Sequence, residues 1–261
     1  MLATRSLLFN ALFYLNLVVL MIVGLPTLLF GRRAIFALAR LWSAISVWLL
    51  ETICGLRLEY RGVENIPPGA VLIAVKHQSF LETFALLKYA PDFAIILKRQ
   101  LTYVPLFGLY LMVSQQIAID RGRGRQALQQ IAGAAKPVFD AGRQVFIYPE
   151  GTRRLPGAPP MYKTGVAALY AAANVPCLPV AVNTGLFWRR RGFLRRPGIA
   201  VIEYLPVIEP GLGRGAFSKR LQSTIETACD RLNAEAVAKD PSLAAVVAEG
   251  ANNDTETLRS A

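Results

Sequence analysis

A single histidine is the first candidate for chemistry in this chain, because His77 is the only one in 261 residues. It follows the apolar run Val71–Val75, which predicts a buried strand, and a carboxylate, Glu82, comes five residues later. Imidazole changes its protonation near neutral pH, so a general base that works there would be His77. A carboxylate in contact with its ring would orient that base and stabilise its charged form, as in a nucleophile-activating triad.

The spacing of five residues limits how His77 and Glu82 can meet. Five residues of α-helix turn through about 500°, so the two side chains would point apart if both were helical. Contact therefore requires His77 in a turn before a helix and Glu82 in its first turn. Ser79 to Glu82 matches a capping box, with Ser79 as the N-cap and Glu82 at N3. The same match has a purely structural interpretation, in which Glu82 only caps its helix and His77 is an ordinary strand-end histidine.

Two other predicted strands end in groups that suit a phosphate. Ile117–Ile119 leads to Arg121, and Val145–Tyr148 leads to a loop with four candidate residues: Glu150, Gly151, Thr152 and Arg153. A guanidinium offers phosphate a planar fork, and glycine lets the backbone approach a ligand closely. Ligands of open α/β sheets bind beyond the carboxyl ends of strands, so these ends can share one pocket. Each end, taken alone, is equally compatible with a turn and a surface arginine.

Alternation of short apolar runs with helical segments predicts the fold class. The predicted strands are Val71–Val75, Phe93–Leu97, Ile117–Ile119, Val145–Tyr148, Leu178–Val182 and Ile199–Tyr204, and the predicted helices between them are Leu81–Tyr89, Arg125–Asp140 and Lys163–Ala173. This order predicts an α/β fold with a partly parallel central sheet flanked by helices. Apolar residues at helical spacing from Phe217 to Leu232 predict one more helix near the C-terminus.

The N-terminal region is the most apolar part of the chain. Leu7–Phe30 is long enough to span a bilayer, and Ala34–Ile53 is a second apolar segment that contains Arg40. An arginine is costly in lipid, so we favour a two-helix anchor that enters one leaflet over a single full span through the first segment. A signal peptide is the other alternative, but no convincing cleavage site follows. Arg32 and Arg33 between the segments predict the cytoplasmic face of the membrane.

These patterns divide the chain into three predicted regions. Residues 1–55 are hydrophobic membrane-anchoring helices, residues 56–238 form the α/β domain, and residues 239–261 form a flexible polar tail. The net charge of +12 predicts anionic partners, such as a phospholipid surface, nucleic acid or an acidic protein. No nucleic-acid-binding motif accompanies the basic residues, so we expect no nucleic-acid partner. Three widely spaced cysteines and one histidine predict neither a disulfide framework nor a metal site.

In combination, the motifs resemble those of the 1-acyl-sn-glycerol-3-phosphate acyltransferases (PlsC-like lysophosphatidic acid acyltransferases). Four blocks occur in the family's order: His77–Glu82 for the His-x4-Asp block, Ile117–Arg121 for the block ending in Asp-Arg, Glu150–Arg153 for Glu-Gly-Thr-Arg, and Val175–Val180 for the hydrophobic block around a proline. The resemblance covers roughly residues 55–206, and an apolar N-terminus is also typical of the family. Any one block is weak, but the ordered set is specific.

The resemblance implies a glycerolipid acyltransferase-like fold and a reaction. His77, oriented by Glu82, takes the proton of the sn-2 hydroxyl of lysophosphatidic acid. That hydroxyl then attacks an acyl thioester, either acyl-CoA or acyl carrier protein, and forms phosphatidic acid. The implied phosphate-binding residues are Arg121 and Arg153, with Glu150, Gly151 and Thr152 in the loop, and Lys98 serves the oxyanion or the phosphate. No metal or other cofactor is implied.

Two positions depart from the family's pattern, and two other functions stay open. Glu82 replaces the usual Asp, which keeps the charge but adds a methylene group, and Arg154 replaces the usual Ser after the Thr-Arg pair. The acceptor could be another lysolipid, such as lyso-ornithine lipid, although two arginines favour a phosphate. The chain could also be a catalytically silent membrane lipid-binding protein. Retention of both His77 and a carboxylate at position 82 argues against that.

Overall fold

A computed structural model describes residues 1–120 and 125–259, with side chains described for 1–120 and 130–252. The described residues form one seven-stranded sheet whose strands are β1 (Leu56–Arg61), β2 (Val71–Val75), β3 (Phe93–Lys98), β4 (Ile117–Ile119), β5 (Gln144–Ile147), β6 (Cys177–Val182) and β7 (Gly198–Tyr204). Their α-helices are α1 (Leu2–Val23), α2 (Arg32–Leu49), α3 (Leu81–Ala85), α4 (Phe107–Val113), α5 (Arg125–Asp140), α6 (Thr164–Ala173), α7 (Arg214–Lys239) and α8 (Ala244–Arg259).

The sheet is mostly parallel, and its order places the candidate residues on one edge. Across the sheet the strands run β1-β7-β6-β2-β5-β3-β4, and only the β6–β7 pair is antiparallel. Strands β6, β2, β5, β3 and β4 therefore end on the same edge. The α/β class with a partly parallel sheet is confirmed. Strand β1, which pairs in parallel with β7, was not predicted from the sequence.

Both faces of the sheet are covered, which explains the unbroken apolar runs of its central strands. In β2, Ile73 faces a core that also contains residues of α1, α2 and α3, whereas Leu72 faces a core built with α5, α6 and α7. The fold therefore has three layers. The first helices belong to one of these layers, so residues 1–55 share a core with the α/β domain.

Helix α1 is apolar on both its inner and its outer side. Phe9 and Phe13 pack against Trp188 of the domain, with ring centroids 5.6 and 5.9 Å from it. The exposed large apolar residues of α1 are Leu7, Leu8, Tyr14, Leu15, Val18, Val19, Ile22 and Val23. Among the described residues, Leu2–Val23 and Arg32–Cys54 are the two helices long and apolar enough to cross a membrane.

Helix α2 runs back along α1 and stays attached to the domain. A π-helical turn, Leu50–Cys54, extends it to β1, and Leu50 is buried in the core. Polar contacts tie α2 to the domain along its length: Arg32 with Asp92 at 3.1 Å, Arg40 with the carbonyls of Ala90 and Pro91 at 3.3 and 3.2 Å, and Ser43 with the carbonyl of Phe84 at 2.7 Å. The arginine predicted to be costly in lipid thus points at the domain.

The prediction of a flexible tail from residue 239 is wrong for the part of it that the structure describes. A short 3-10 turn, Pro241–Leu243, leads into α8. Leu243 and Val246 lie in the core at 1% and 2% exposure, and Glu249 forms an ion pair with Arg189. Small and acidic residues dominate this stretch and suggested disorder. Two apolar side chains at helical spacing are nevertheless enough to dock it.

Candidate active site

His77 and Glu82 are in contact, in the arrangement that their spacing demanded. His77 lies between β2 and α3, and Glu82 is the second residue of α3. Its Oε1 lies 2.9 Å from Nδ1 of His77. The capping box forms only in part, because Glu82 Oε1 accepts the backbone N–H of Ser79 at 2.7 Å, whereas the Ser79 hydroxyl accepts the N–H of Leu81. Capping and orientation of the imidazole are therefore two roles of one carboxylate.

The Glu82 carboxylate is fully buried, and hydrogen bonds hold both of its oxygens. Besides the His77 ring and the Ser79 N–H, Oε1 accepts the backbone N–H of Gln78 at 2.8 Å. The hydroxyl of Thr184, just beyond β6, donates to Oε2 at 2.6 Å. Buried carboxylates need such donors to stay charged. The extra methylene of glutamate lets one side chain join the His77 turn to the end of β6.

The contact with Glu82 fixes which nitrogen of His77 can act as a base. An ionised carboxylate only accepts hydrogen bonds, so Nδ1 carries the proton and Nε2 keeps its lone pair. The imidazole stacks on the Tyr148 ring at the end of β5, with centroids 4.0 Å apart and planes at 27°. Burial raises the pKa of Tyr148 far above its usual range, and Glu82 adds to the rise, so the phenol stays neutral. The imidazole side chain is 15% exposed.

The loop after β5 folds back onto the histidine. Gly151 adopts φ of 67° and closes a turn by donating its N–H to the carbonyl of Tyr148 at 2.9 Å. This left-handed conformation favours glycine. The backbone N–H of Arg154 then donates to the carbonyl of His77 at 2.8 Å. Thr152 is exposed and Arg153 is half-buried, so the loop presents both beside the histidine.

Arg154 and Glu150 hold this loop from within. The guanidinium of Arg154 donates to the carbonyl of Pro159 at 2.8 Å, across the same loop. Glu150, which the sequence grouped with the phosphate-binding residues, is only 2% exposed. Its Oε1 lies 3.1 Å from the ammonium of Lys76 and 3.3 Å from the backbone N–H of Met161. Its described contacts therefore stabilise the loop.

Lys76 joins this loop to α7 beneath the catalytic turn. Its ammonium is 3% exposed and lies 2.8 Å from Glu226 of α7 as well as close to Glu150. Burial acts to lower the pKa of Lys76, but Glu150 and Glu226 more than offset that effect and raise it. The ammonium therefore stays charged. Because Lys76 precedes His77 directly, these ion pairs fix the backbone on which the imidazole stands.

Of the two remaining predicted residues, the structure describes only Lys98, which lies farther along the same edge. Lys98 is the last residue of β3 and is exposed. It is two strands from β2, or about 10 Å at usual sheet spacing. Arg121 lies outside the described residues, although Ile119 at the end of β4 is described and pairs with Lys98. Along this edge the order is His77, Glu150 and then Lys98, and the predicted convergence with Arg121 stays a prediction.

Several residues that build the site were not assigned a role from the sequence. They are Lys76, Gln78, Tyr148 and Thr184. Thr184 and Gly185 follow the buried strand β6, and Gly185 donates its N–H to Gln78 at 3.1 Å. The available signal was polar residues directly after a predicted strand. The sequence could not show that β6 lies beside β2, because the strand order is set by tertiary packing.

The arrangement is that of a base poised on one edge of a sheet. It has an oriented imidazole with Nε2 available, a buried carboxylate that stabilises the imidazolium, and an arginine-bearing loop beside both. No group of three His, Cys, Asp or Glu side chains suited to a metal ion occurs among the residues that the structure describes. The chemistry these residues can supply is deprotonation of a hydroxyl on an anionic substrate.

Comparison with known proteins gives a consistent result. Residues 57–183 match the profile of a family described as Acyltransferase. The chain is 39% identical to the 1-acyl-sn-glycerol-3-phosphate acyltransferase of Pseudomonas aeruginosa over 173 residues, which are 66% of this chain and 67% of that protein. It is 28% identical to the enzyme of the same name from Limnanthes alba, again over 66% of this chain but only 61% of that protein.

A solved structure supports the fold. The chain resembles the crystal structure of the 1-acyl-sn-glycerophosphate (LPA) acyltransferase, PlsC, from Thermotoga maritima with a TM-score of 0.73. The match covers 89% of this chain and 98% of that one, at 20% identity. At this identity the match supports the fold of the chain.

Proposed function

Because the chain belongs to the 1-acyl-sn-glycerol-3-phosphate acyltransferase family, we propose that it transfers an acyl chain to the sn-2 hydroxyl of 1-acyl-sn-glycerol 3-phosphate. The product is phosphatidic acid, an intermediate of phospholipid biosynthesis. The observation that carries this proposal is the contact between His77 Nδ1 and Glu82 Oε1, which leaves Nε2 as a base at the edge of the sheet.

The proposed mechanism needs one base and no covalent enzyme intermediate. Nε2 of His77 takes the proton of the sn-2 hydroxyl while that oxygen attacks the thioester carbonyl carbon. Glu82 stabilises the imidazolium that forms. When the tetrahedral intermediate collapses, the C–S bond breaks and the thiolate takes the proton back from Nε2. The base is then regenerated, and no metal or redox cofactor is needed.

Binding of the acceptor phosphate is proposed for the loop after β5. Arg153 supplies a guanidinium there, and Thr152 and Gly151 supply a hydroxyl and a close backbone. Arg121 is the second proposed phosphate ligand, from the end of β4. Glu150 contributes by holding the loop through Lys76. Lys98, two strands from His77, is better placed for the phosphate than for the oxyanion beside the imidazole.

The apolar N-terminal helices are consistent with membrane association. We propose that they lie in one leaflet. The contacts of α2 with the domain at Arg32, Arg40 and Ser43 argue for this, because a helix bound along its length cannot cross the bilayer while the domain stays in water. An acceptor whose acyl tail stays in that leaflet then reaches His77 directly. The arginines between the helices favour the cytoplasmic face.

The donor is an acyl thioester, carried by coenzyme A or by acyl carrier protein. Both carriers are strongly anionic, and the net charge of +12 favours either of them. A second acceptor, such as lyso-ornithine lipid, is less favoured because the two proposed phosphate ligands, Arg121 and Arg153, suit a phosphate. A silent lipid-binding role is less favoured because the whole hydrogen-bonded set around Glu82 is intact.

The proposal is tested with purified, detergent-solubilised protein that is offered acyl-CoA and acyl carrier protein thioesters side by side. The acceptors are 1-acyl-sn-glycerol 3-phosphate, its analogue without the sn-2 hydroxyl, and lyso-ornithine lipid. Phosphatidic acid from the first acceptor, with no product from the analogue, supports the proposal. Product only from lyso-ornithine lipid overturns the acceptor, and no product from folded protein overturns the activity.

A further inference from the structure

A second apolar surface lies outside the N-terminal helices. Between Arg99 and Asp120 the chain has 20 consecutive uncharged residues. The part from Arg99 to Val113, here called the α4 segment, consists of a 3-10 turn (Arg99–Tyr103) and helix α4. Its exposed large apolar side chains are Leu101 at 40%, Tyr103 at 67%, Val104 at 45%, Leu109 at 48%, Met112 at 65% and Val113 at 36%.

This segment is folded compactly, so its outward apolar side chains are a fixed feature. Gly108 packs against the Thr102 backbone so closely that an added Cβ would lie 2.1 Å from the Thr102 carbonyl oxygen. Tyr110 and Leu111 point inward and are buried. The helix therefore has a buried inner face with Tyr110 and Leu111 and an exposed outer face of Leu109, Met112 and Val113. A water-facing helix would carry polar residues there.

The apolar surface of the α4 segment is continuous with that of α1. The hydroxyl of Tyr110 donates to the carbonyl of Met21, near the end of α1, at 2.8 Å. The turn that follows α1 exposes Leu29 at 86% and Phe30 at 76%. Contiguous exposed apolar surface of this extent is rare on soluble monomers and marks an interaction site.

The charges around this surface suit a lipid headgroup layer. Arg33, just after Phe30, is exposed, and so are Lys98 and Arg99 at the start of the α4 segment. Cations that flank an apolar surface contact anionic headgroups while the apolar side chains enter the acyl region. The arrangement fits a bilayer better than a protein partner, since the adjoining α1 surface is itself of membrane-spanning hydropathy.

We propose that the α4 segment is a third membrane-inserting element, which enters the same leaflet as α1 and α2 with Arg99 at the headgroups. Its chemical partner is the acyl region of an anionic phospholipid bilayer. The segment begins directly after Lys98, at the edge of the sheet that carries His77. It therefore holds this edge against the leaflet. The inference rests on the membrane placement proposed for α1 and α2.

Site-directed spin labelling tests this inference separately from the membrane placement of α1. All three native cysteines are buried, so single labels can be introduced by Met112→Cys and Leu109→Cys in the α4 segment. Val18→Cys on α1 is the reference for lipid, and Leu212→Cys, exposed after β7, is the reference for water. The full chain is reconstituted into vesicles of phosphatidylcholine and phosphatidylglycerol, and collisions with oxygen and with a nickel chelate are compared.

Labels at 112 and 109 are expected to collide more often with oxygen than with the nickel chelate. The label at 18 should do the same, and the label at 212 should not. If the labels at 112 and 109 behave like the water-exposed label at 212, while the label at 18 lies in lipid, this inference is overturned and the placement of α1 stands. If 18 also resembles water, both fall. Labels at 112 and 109 that neither reagent reaches indicate a protein contact and also overturn the inference.

A functional variant gives a second readout. Met112→Asp is expected to lower acyl transfer several-fold when the acceptor is embedded in vesicles, and to leave transfer to a water-soluble short-chain acceptor unchanged. Met112 is 65% exposed, so the fold does not depend on its side chain. Leu212→Asp is the matched control and should alter neither rate. Equal rates of Met112→Asp and the wild type on vesicles would contradict the proposed insertion.

Discussion

Thr184 donates a 2.6 Å hydrogen bond to the Oε2 atom of Glu82, although the two residues are 102 positions apart in the chain. Glu82 in turn accepts the N–H of His77 on its other oxygen. The end of β6 thus controls the orientation of the imidazole through one carboxylate. A threonine that touches neither the imidazole nor the proposed acceptor hydroxyl should therefore affect the rate.

Replacement of Thr184 by Val removes the hydroxyl donor and keeps the shape of the side chain. A hydrogen bond to a charged group contributes about 1.5–3 kcal/mol, so kcat should fall about 10–100-fold. KM for the acceptor should change little, because Thr184 positions Glu82 and is not proposed to bind substrate. Thr184→Ser keeps the donor and should restore most of the rate. Steady-state kinetics of both variants check this, and equal losses in kcat for Val and Ser would contradict it.

Two variants of Glu82 distinguish the effect of its charge on the rate from the effect of its side-chain length. Glu82→Gln keeps the length but loses the charge that stabilises the imidazolium, so kcat should fall on the order of 10³–10⁴-fold. Glu82→Asp keeps the charge but cannot reach both His77 and Thr184, so a smaller loss of about tenfold is expected, roughly that of one hydrogen bond. A Glu82→Asp enzyme as active as the wild type would show that the second contact is dispensable.

The ion pairs of Lys76 should contribute to stability. Lys76→Met leaves Glu150 and Glu226 without their buried cation, and loss of one partner of such a pair costs about 3–5 kcal/mol. Thermal unfolding in detergent should show a clear drop in the unfolding temperature. Lys136→Met is the matched control, because its pair with Asp140 is exposed, and it should change stability by less than about 0.5 kcal/mol. Similar unfolding temperatures for the two variants would contradict the role of Lys76.

The C-terminal helix should be needed for stability. Truncation after Asp240 removes Leu243 and Val246 from the core, and burial of each such side chain contributes about 1.5–3 kcal/mol. We expect a loss of about 3–6 kcal/mol from these two side chains. A shorter truncation after Asn252 keeps every contact named for this helix and serves as the control. Unfolding curves for the Asp240 truncation that match the wild type would support the flexible tail predicted from the sequence.

Most of the fold could be predicted from the sequence, because the spacing of apolar residues and the alternation of strands with helices are local signals. Strands β2 and β4 and helix α5 occur at the predicted residues. Strand β1 was not predicted, although Leu56–Arg61 alternates strictly between apolar and charged residues, which is the period of a half-buried strand. Helix α8 was missed because its docking depends on two apolar side chains in a polar stretch. For α8, tertiary packing outweighed local composition.

The site was predictable only in part for a related reason. The contact of His77 with Glu82 follows from a spacing of five residues and a turn. The contacts of Glu82 with Thr184, and of Lys76 with Glu226, join segments that are far apart in the chain. Only the strand order brings them together. The motif placed Glu150 among the phosphate-binding residues, yet Glu150 is buried against Lys76, which follows the neighbouring strand β2.

The central claim is that Nε2 of His77 is the base for acyl transfer. The most direct test is the rate of phosphatidic acid formation by His77→Gln, measured under single-turnover conditions beside the wild type, with unfolding temperature and membrane binding as checks. A decrease of at least about 100-fold in folded, membrane-bound protein is predicted. A rate close to the wild type would contradict the claim and would move the base to another residue.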